Sequence, residues 1–277
     1  MSNAQPDRRI APAGQPLELL FERANLPHFE LPASLSASYG GELGLPKQCV
    51  VANFVASLDG VVALPGDTES GQIISGRNPA DRFVMGLLRA CTDAVLIGAG
   101  TFRKSSGHLW TAERIYPLAA TQLAELRRQL GLNASPVLVL ISASGQLDTS
   151  QPAAQNAWIV TTPKGEAALR GALPAGARLT VVDSDRVSVG GVLATLRAEG
   201  FGRVLTEGGP TLFAELVRER LVDELFLTSS PALFGRFPGD NRRSLCDGLD
   251  LSGAALELLS VRRHGSHLFQ RYALSTV

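Results

Sequence analysis

The richest chemistry lies in Arg203–Leu221, RVLTEGGPTLFAELVRERL. Val204 and Leu205 read as a buried strand that ends at Glu207, and Gly208-Gly209 lets the backbone turn where side chains would collide. Pro210 then opens a helix at the one position where its missing N–H costs nothing. Leu212, Phe213, Leu216, Val217 and Leu221 recur at helical spacing, so one face of that helix packs on a sheet. A carboxylate therefore stands at a strand edge beside a bare turn and a helix N-terminus, whose unpaired N–H groups favour anions. A phosphate on the glycines with a polar ligand group on Glu207 is one reading. A tight turn with an exposed glutamate is the other.

Two further stretches pose the same choice. Val95–Thr101, VLIGAGT, ends a strand in two glycines, but Arg103 occupies the third glycine position of a dinucleotide fingerprint, and no acidic residue sits at ribose distance. What survives is a glycine turn with Thr101 and Arg103 as further donors, suited to a phosphate or to a plain turn. Ser57-Leu58-Asp59-Gly60 follows a buried strand, where Asp-Gly signals a turn and where a Ser and an Asp can also orient a ligand. Glycine-ended strands in one sheet flank a single crevice at their carboxyl ends, the place where nucleotides settle in open α/β sheets. His28, His108, His264 and His267 share no metal spacing, and His264 and His267 flank a turn, where solvation is expected. Zinc-deaminase, GxSxG and Walker signatures are absent from the sequence.

The elements that position these residues are read from composition and periodicity. The 277 residues can bury a large core, and a formal net charge of zero gives no general attraction to nucleic acid or anionic membranes. Cys49, Cys91 and Cys246 are odd in number and widely spaced, as reduced cytoplasmic thiols would be. No signal h-region or spanning stretch is seen, so a soluble cytoplasmic protein is expected. Residues 1–48 read as a variable lead-in with a short helix over Leu17–Arg23, and residues 49–277 as the main domain. In that domain CVVANFVAS (49–57) is a continuous apolar run typical of a central strand. VVAL (61–64) is a short extended piece. Asn78-Pro79 caps a helix through Cys91, with Phe83, Val84, Leu87, Leu88 and Cys91 buried and Arg82 and Arg89 on another face. Strands follow at 93–97, 136–142, 157–162, 177–183 and 224–233. Helices are expected at 117–130, with Leu118, Leu123, Leu126 and Leu130 apolar, and at 191–199. An alternating hairpin turning at His264-Gly265-Ser266 closes the chain. The class is α/β, with a mixed, mostly parallel sheet flanked by helices and an antiparallel hairpin at the C-terminus.

With ASLDG (56–60), LLRACTDAVLIGAGTFR (87–103) and TEGGPTLFAEL with LVDELFLTSSPALFG (206–216, 221–235) in this order, the chain resembles the pyrimidine reductase domain of riboflavin biosynthesis. The resemblance runs from about Val50 to the C-terminus. It implies a dihydrofolate reductase-like fold, a homodimer, NADPH as cofactor, and reduction of the ribosyl group of 5-amino-6-(5-phosphoribosylamino)uracil to ribityl. Carried over by position, it implies that Ser57, Arg89, Leu109 and Glu207 bind substrate, with Arg89 on the 5-phosphate. Asp59 and Gly60 line the pocket where nicotinamide and substrate meet. Val55, Gly98, Gly100, Thr101, Gly208, Gly209, Pro210 and Thr211 contact the cofactor, and Ser142 or Ser144 meets the adenosine 2′-phosphate. Glu207 and Asp59 are the two available proton sources, with neither ranked above the other.

The sequence departs from the family pattern after GAGT. Ser105 and Ser106 stand where an acidic pair is usual, and Ala112 fills an arginine position, with Arg114 two residues later. Two alternatives therefore stay open. One is a dihydrofolate- or dihydropterin-type reductase, for which Asp81 is the one acid on the first long helix, although that place also suits the helix dipole. The other is a nucleotide-binding homologue without turnover.

Overall fold

The computed structural model of the chain describes residues 15–66, 69–237, 239–251, 253 and 255–274. Strand β1 is Glu18–Glu22, helix α1 Ala33–Tyr39, β2 Cys49–Ser57, α2 Ser70–Ile74, α3 Pro79–Ala90 and β3 Ala94–Gly98. Next come α4 Ala99–Lys104, α5 Ala112–Ile115, α6 Ala120–Gln129, β4 Val137–Ser142, β5 Trp158–Thr161 and α7 Pro163–Leu169. The chain continues through β6 Arg178–Val181, α8 Val189–Ala198, β7 Arg203–Thr206, α9 Pro210–Arg218 and β8 Glu224–Ser230, and closes with β9 Glu257–His264 and β10 His267–Ala273.

Among the described residues these strands form one sheet in the order β1-β9-β10-β8-β2-β7-β3-β4-β5-β6. From β8 to β6 every neighbouring pair is parallel, and β10, β9 and β1 extend the sheet antiparallel beyond β8. The expected α/β class with a mostly parallel sheet and a terminal hairpin is what the chain adopts. Strand β2 lies between β8 and β7. Cys49 and Val51 join the core on one face, and Val50 and Ala52 join the core on the other. That two-sided burial is why its sequence shows no alternation. Helices α1, α3, α5 and α6 cover the first face, and α8 and α9 cover the second.

Several expectations are corrected. Leu17–Arg23 is not helical: Glu18–Glu22 pairs antiparallel with β9, and tertiary pairing overrides local propensity. In the segment before Cys49, Leu17, Leu31, Leu35, Tyr39, Leu43 and Leu45 are all buried in the main core. VVAL forms no strand and contributes only a bridge from Ala63 to Arg243. The helix expected over 117–130 begins with a 3₁₀ turn at Pro117–Ala119, which leaves Leu118 72% exposed. Arg82 and Arg89 do not share one environment, because Arg82 is exposed while Arg89 is 0% exposed. His267 is not a solvated turn residue, since its Nε2 lies 3.0 Å from the Ser75 carbonyl oxygen.

Candidate active site

The three sequence motifs converge where β2, β7 and β3 end. Thr206 lies beside Ala52 on one side and Leu96 on the other, so Glu207, one residue on, emerges at the middle of the sheet's carboxyl edge. The Thr206 hydroxyl donates to the Leu96 carbonyl at 3.2 Å and accepts from the Gly208 amide at 3.3 Å, which fixes the start of the turn. A Cβ on Gly208 would come within 2.5 Å of the Leu212 side chain, so helix α9 folds back tightly over its own entry. A Cβ on Gly209 would stand 3.4 Å from Thr101 Oγ1, which puts the turn before α9 directly against α4. A Cβ on Gly98 or Gly100 would meet nothing within 4 Å. These two glycines border open space, not another part of the chain.

The exposed Thr211 accepts a 3.0 Å hydrogen bond from Arg243 Nη1. Arg243 is held there by its backbone, which pairs with Val62 and Ala63. It is a cation beside the α9 N-terminus that no local motif announces, because the bridge that places it joins residues far apart in sequence.

Glu207 is 7% exposed at its side chain and is gripped by Arg89, whose own side chain is 1% exposed. Arg89 Nε donates to Oε1 at 3.0 Å, and Nη2 donates to Oε2 at 2.5 Å. Nη1 donates to the carbonyl oxygens of Leu109 and Thr111, both at 3.3 Å, and Nη2 lies 3.0 Å from His108 Nε2. The guanidinium has five N–H groups, so all of them are engaged. The donors of Arg89, expected from sequence to meet the substrate phosphate, hold Glu207 and the 108–111 loop in this ligand-free structure. Leu109 meets this cluster through its carbonyl oxygen.

An arginine can only donate, so His108 Nε2 accepts and the ring proton sits on Nδ1. Burial, followed by the charges of Arg89, Arg82 and Arg114, lowers the His108 pKa to about 3, which keeps the ring neutral. Ala112 is 1% exposed inside α5, whereas Arg114 of the same short helix is exposed, as is Arg82, whose Nε donates to the Ile115 carbonyl at 3.2 Å. Arg82 and Arg114 are thus exposed cations whose charges reach His108.

Ser57 and Asp59 form a different unit. Ser57 Oγ donates to Asp59 Oδ1 at 2.5 Å, and the carboxylate also accepts from the Gly235 amide at 2.6 Å and the Phe234 amide at 3.2 Å. The Ser57 hydroxyl and these amides hold the Asp59 carboxyl below its ordinary range. Asp59, one of the two proton sources expected from sequence, thus ties the loop after β8 to the end of β2. Gly60 follows at φ 78°, the left-handed conformation that a side chain would strain. Val55 is half-buried on β2 and faces α2, where a Cβ on Gly71 would touch its Cγ1 at 3.7 Å.

Asp81, read from sequence mainly as a partner of the helix dipole, is 6% exposed, with the side chains of Thr228 and Ser75 close by. Burial, with a smaller contribution from the charge of Glu207, raises its pKa to about 6. Cys49 and Cys91 are buried thiols pushed up to about 12, a state unsuited to nucleophilic chemistry. Ser142 is buried on β4, and Ser144 Oγ accepts from the Gln146 amide at 3.4 Å. Among the described residues no group of three or more His, Cys, Asp or Glu is arranged to hold a metal ion, and no helix is long and apolar enough to cross a membrane.

Comparison with known proteins bears on the family and the fold. Residues 48–269 match the family described as RibD C-terminal domain. The chain is 26% identical over 203 residues to a 2,5-diamino-6-ribosylamino-4(3H)-pyrimidinone 5′-phosphate reductase of Archaeoglobus fulgidus, covering 72% of this chain and 86% of that one. Its fold is similar to that of a pyrimidine reductase-like protein from Corynebacterium diphtheriae, with a TM-score of 0.67, 21% identity, and 86% of this chain and 97% of the other covered. It is also similar to RibD of Acinetobacter baumannii, with a TM-score of 0.62 and 21% identity, where the match takes in 87% of this chain and 60% of the other.

Proposed function

The chain belongs to the RibD C-terminal domain family, and from that premise we propose that it is an NADPH-dependent reductase of a phosphoribosylaminopyrimidine, converting ribosyl to ribityl. The observation that carries this reading is the facing pair of glycine turns, Gly209 against Thr101, with Glu207 directly behind. The cofactor supplies a hydride when bound. The residues present fit it: Gly98 and Gly100 border open space, and the start of α9 offers amide N–H groups beside Thr211 and Arg243. In this reading Gly98, Gly100, Thr101, Gly208, Gly209, Pro210 and Thr211 contact the cofactor phosphates, and Val55 lies under the nicotinamide end.

Ser57, Leu109 and Glu207 border the substrate. Glu207 takes the ribose hydroxyls on the lone pairs that Arg89 leaves free, and the pair fixes its orientation before substrate arrives. The substrate phosphate falls to Arg82 and Arg114, which are exposed near neutral His108 and supply the charge missing at Ala112. A carboxylate among buried polar groups discriminates by pairing, so the pyrimidine's own substituents decide which substrate is turned over. The Archaeoglobus relative is named for the 2,5-diamino compound, which makes that compound the second substrate to test beside the uracil. We also read the chain as a homodimer, and as cytoplasmic in keeping with its free thiols Cys49, Cys91 and Cys246.

The test is to follow the absorbance of reduced nicotinamide with purified protein and each phosphoribosylaminopyrimidine. Oxidation of NADPH with at least one of them is expected. Turnover of dihydrofolate in their place would overturn the substrate assignment, and tight NADPH binding with no turnover would overturn the enzymatic one.

A further inference from the structure

The hydrogen-bonded chain that starts at Glu207 does not end at Arg89. Arg89 Nη2 also lies 3.0 Å from His108 Nε2, and because a guanidinium only donates, Nε2 accepts and the ring proton sits on Nδ1. The ring stands edge-on to Trp110, with centroids 4.8 Å apart and planes at 72°, and the His108 amide donates to the Ser105 carbonyl at 3.0 Å. These contacts hold the ring in place and fix its tautomer. Nδ1–H points away from the Arg89 bond, and among the described residues it has no acceptor. The side chain is only half-buried, so a ligand can reach that donor.

The charged groups acting on the ring are Arg89 and Arg82 of α3 and Arg114 of α5, and Glu207 of β7 pairs with the first of them. Arg82 and Arg114 are exposed, and among the described residues neither pairs with a carboxylate. Two unpaired guanidiniums beside an unfilled neutral donor suit a phosphate, which accepts from all three. We infer that His108 is a specificity-determining residue for the substrate phosphate, donating from Nδ1–H to a phosphate oxygen beside Arg82 and Arg114. The inference rests on the reductase reading above and adds to it the group that tells a phosphorylated substrate from its dephosphorylated form.

The physical case is a division of labour between charge and geometry. The exposed arginines are long and free to move, so they attract an anion without fixing where its oxygens lie. The His108 ring is held, so its donor accepts an oxygen at one place only. A second proton on the ring would take the Nε2 lone pair that Arg89 uses, and burial together with the three arginine charges opposes that proton. His108 therefore acts as a neutral donor at working pH. Glu207, Arg89 and His108 form one rigid chain, with a carboxylate for hydroxyls at one end and a donor for phosphate at the other. A substrate that lacks the phosphate leaves that donor unpaired, and an unpaired polar group discriminates more strongly than a lost apolar contact.

The experiment begins with ¹⁵N NMR of the histidine rings in the unaltered protein, with the His108 signals assigned by their loss in His108→Phe. A neutral ring protonated at Nδ1 is expected at neutral pH. Ribose 5-phosphate is expected to shift the Nδ1 resonance, and ribose is not. In turnover assays two variants separate the ring's two nitrogens. His108→Gln keeps an acceptor near the place of Nε2 and loses the Nδ1 donor, whereas His108→Asn keeps an amide donor near the place of Nδ1. His108→Gln is expected to raise KM for the phosphorylated pyrimidine about tenfold, the effect of one hydrogen bond to a charged group, and to move KM for the dephosphorylated analogue by less than about twofold. His108→Asn is expected to recover part of the loss. A ring protonated at Nε2, or an Nδ1 resonance that ribose 5-phosphate leaves unmoved, would overturn the proposal, and both are read on unaltered protein even if the variants fail to fold. Equal KM changes for the two substrates, or a better recovery in His108→Gln than in His108→Asn, would reduce His108 to a support for Arg89. No NADPH oxidation by the unaltered protein with either pyrimidine would instead overturn the reductase reading, whatever the ring does with ribose 5-phosphate.

Discussion

At the scale of single residues, Arg89 and Glu207 behave as one unit. Both side chains are almost fully buried, and the guanidinium also binds the carbonyl oxygens of Leu109 and Thr111 and the ring of His108. Removing one member of such a pair strands the other charge out of water, which costs about 3–5 kcal/mol. Arg89→Lys is expected to fare nearly as badly as Arg89→Ala, because an ammonium has three donors on a flexible stem and cannot span both carboxylate oxygens and the 108–111 loop. Urea titration checks this, and a lysine variant within about 1 kcal/mol of the unaltered protein would show that charge alone suffices. Asp59 makes a pH-dependent contribution to stability. Its pKa is lowered in the folded state, so its stabilisation is complete above the unfolded value of about 3.9 and is lost as pH falls through the folded value. Amide exchange at Phe234 and Gly235, corrected for intrinsic rate, should accelerate over that acid range. Asp59→Ala should accelerate it already at neutral pH, and protection unchanged by either would remove Asp59 from the role of loop tie.

At the scale of elements, Gly98 and Gly100 separate a structural from a binding use of glycine. Neither has a positive φ, and neither would bring a Cβ within 4 Å of another group. Alanine at either site therefore fits the free fold, and replacing glycine gains about 0.4–1 kcal/mol where the backbone is compatible. A ligand backbone or phosphate lying against these glycines would meet the new methyl group. Gly98→Ala and Gly100→Ala are expected to keep or raise the melting temperature and to weaken NADPH binding, as read by nicotinamide fluorescence; unchanged affinity would make the GAGT turn a plain turn. The strands that carry this site were legible because their signals are local. The burial of Cys49–Ala52 on both faces shows as an apolar run, and the Asn78 cap shows as Asn-Pro, with its side chain accepting from the Ala80 amide at 2.8 Å. Less legible was anything fixed by distant pairing. Arg89 and Arg82 look alike on a helical wheel, and only the neighbouring strand's Glu207 tells one from the other. Asp81 looks like an ordinary first-turn acid, and only its 6% exposure in the fold reveals that it is enclosed. The short helices α2, α4 and α5 carry no apolar period long enough to read.

At the scale of the whole molecule, the segment before β2 decides whether the sheet ends in water or in protein. Strand β1 lies antiparallel along β9, Leu17 just before it is 2% exposed, and the Leu17 amide donates to Ser38 O at 2.9 Å. Glu22 pairs at 2.7 Å with Arg262, whose side chain is 1% exposed. Arg262 also donates to the carbonyl oxygens of Tyr39 and Glu42 and to Ser260 Oγ, so one buried cation links the first strand, the α1 segment and the terminal hairpin. A truncation beginning at Asn25 removes a buried leucine, worth about 2–5 kcal/mol, together with Glu22, the carboxylate of that link. It also uncovers the β9 edge, a row of unpaired backbone groups that recruits another strand. The truncated chain is expected to unfold at clearly lower urea and to self-associate in light scattering, while retaining NADPH binding, because the glycine turns lie across the sheet at β7 and β3. An unchanged midpoint together with an unchanged mass would make β1 a dispensable addition to the sheet. Loss of NADPH binding in a folded truncation would instead connect the hairpin edge to the crevice, a link for which β10 and the His267–Ser75 contact beside Asp81 are the available path.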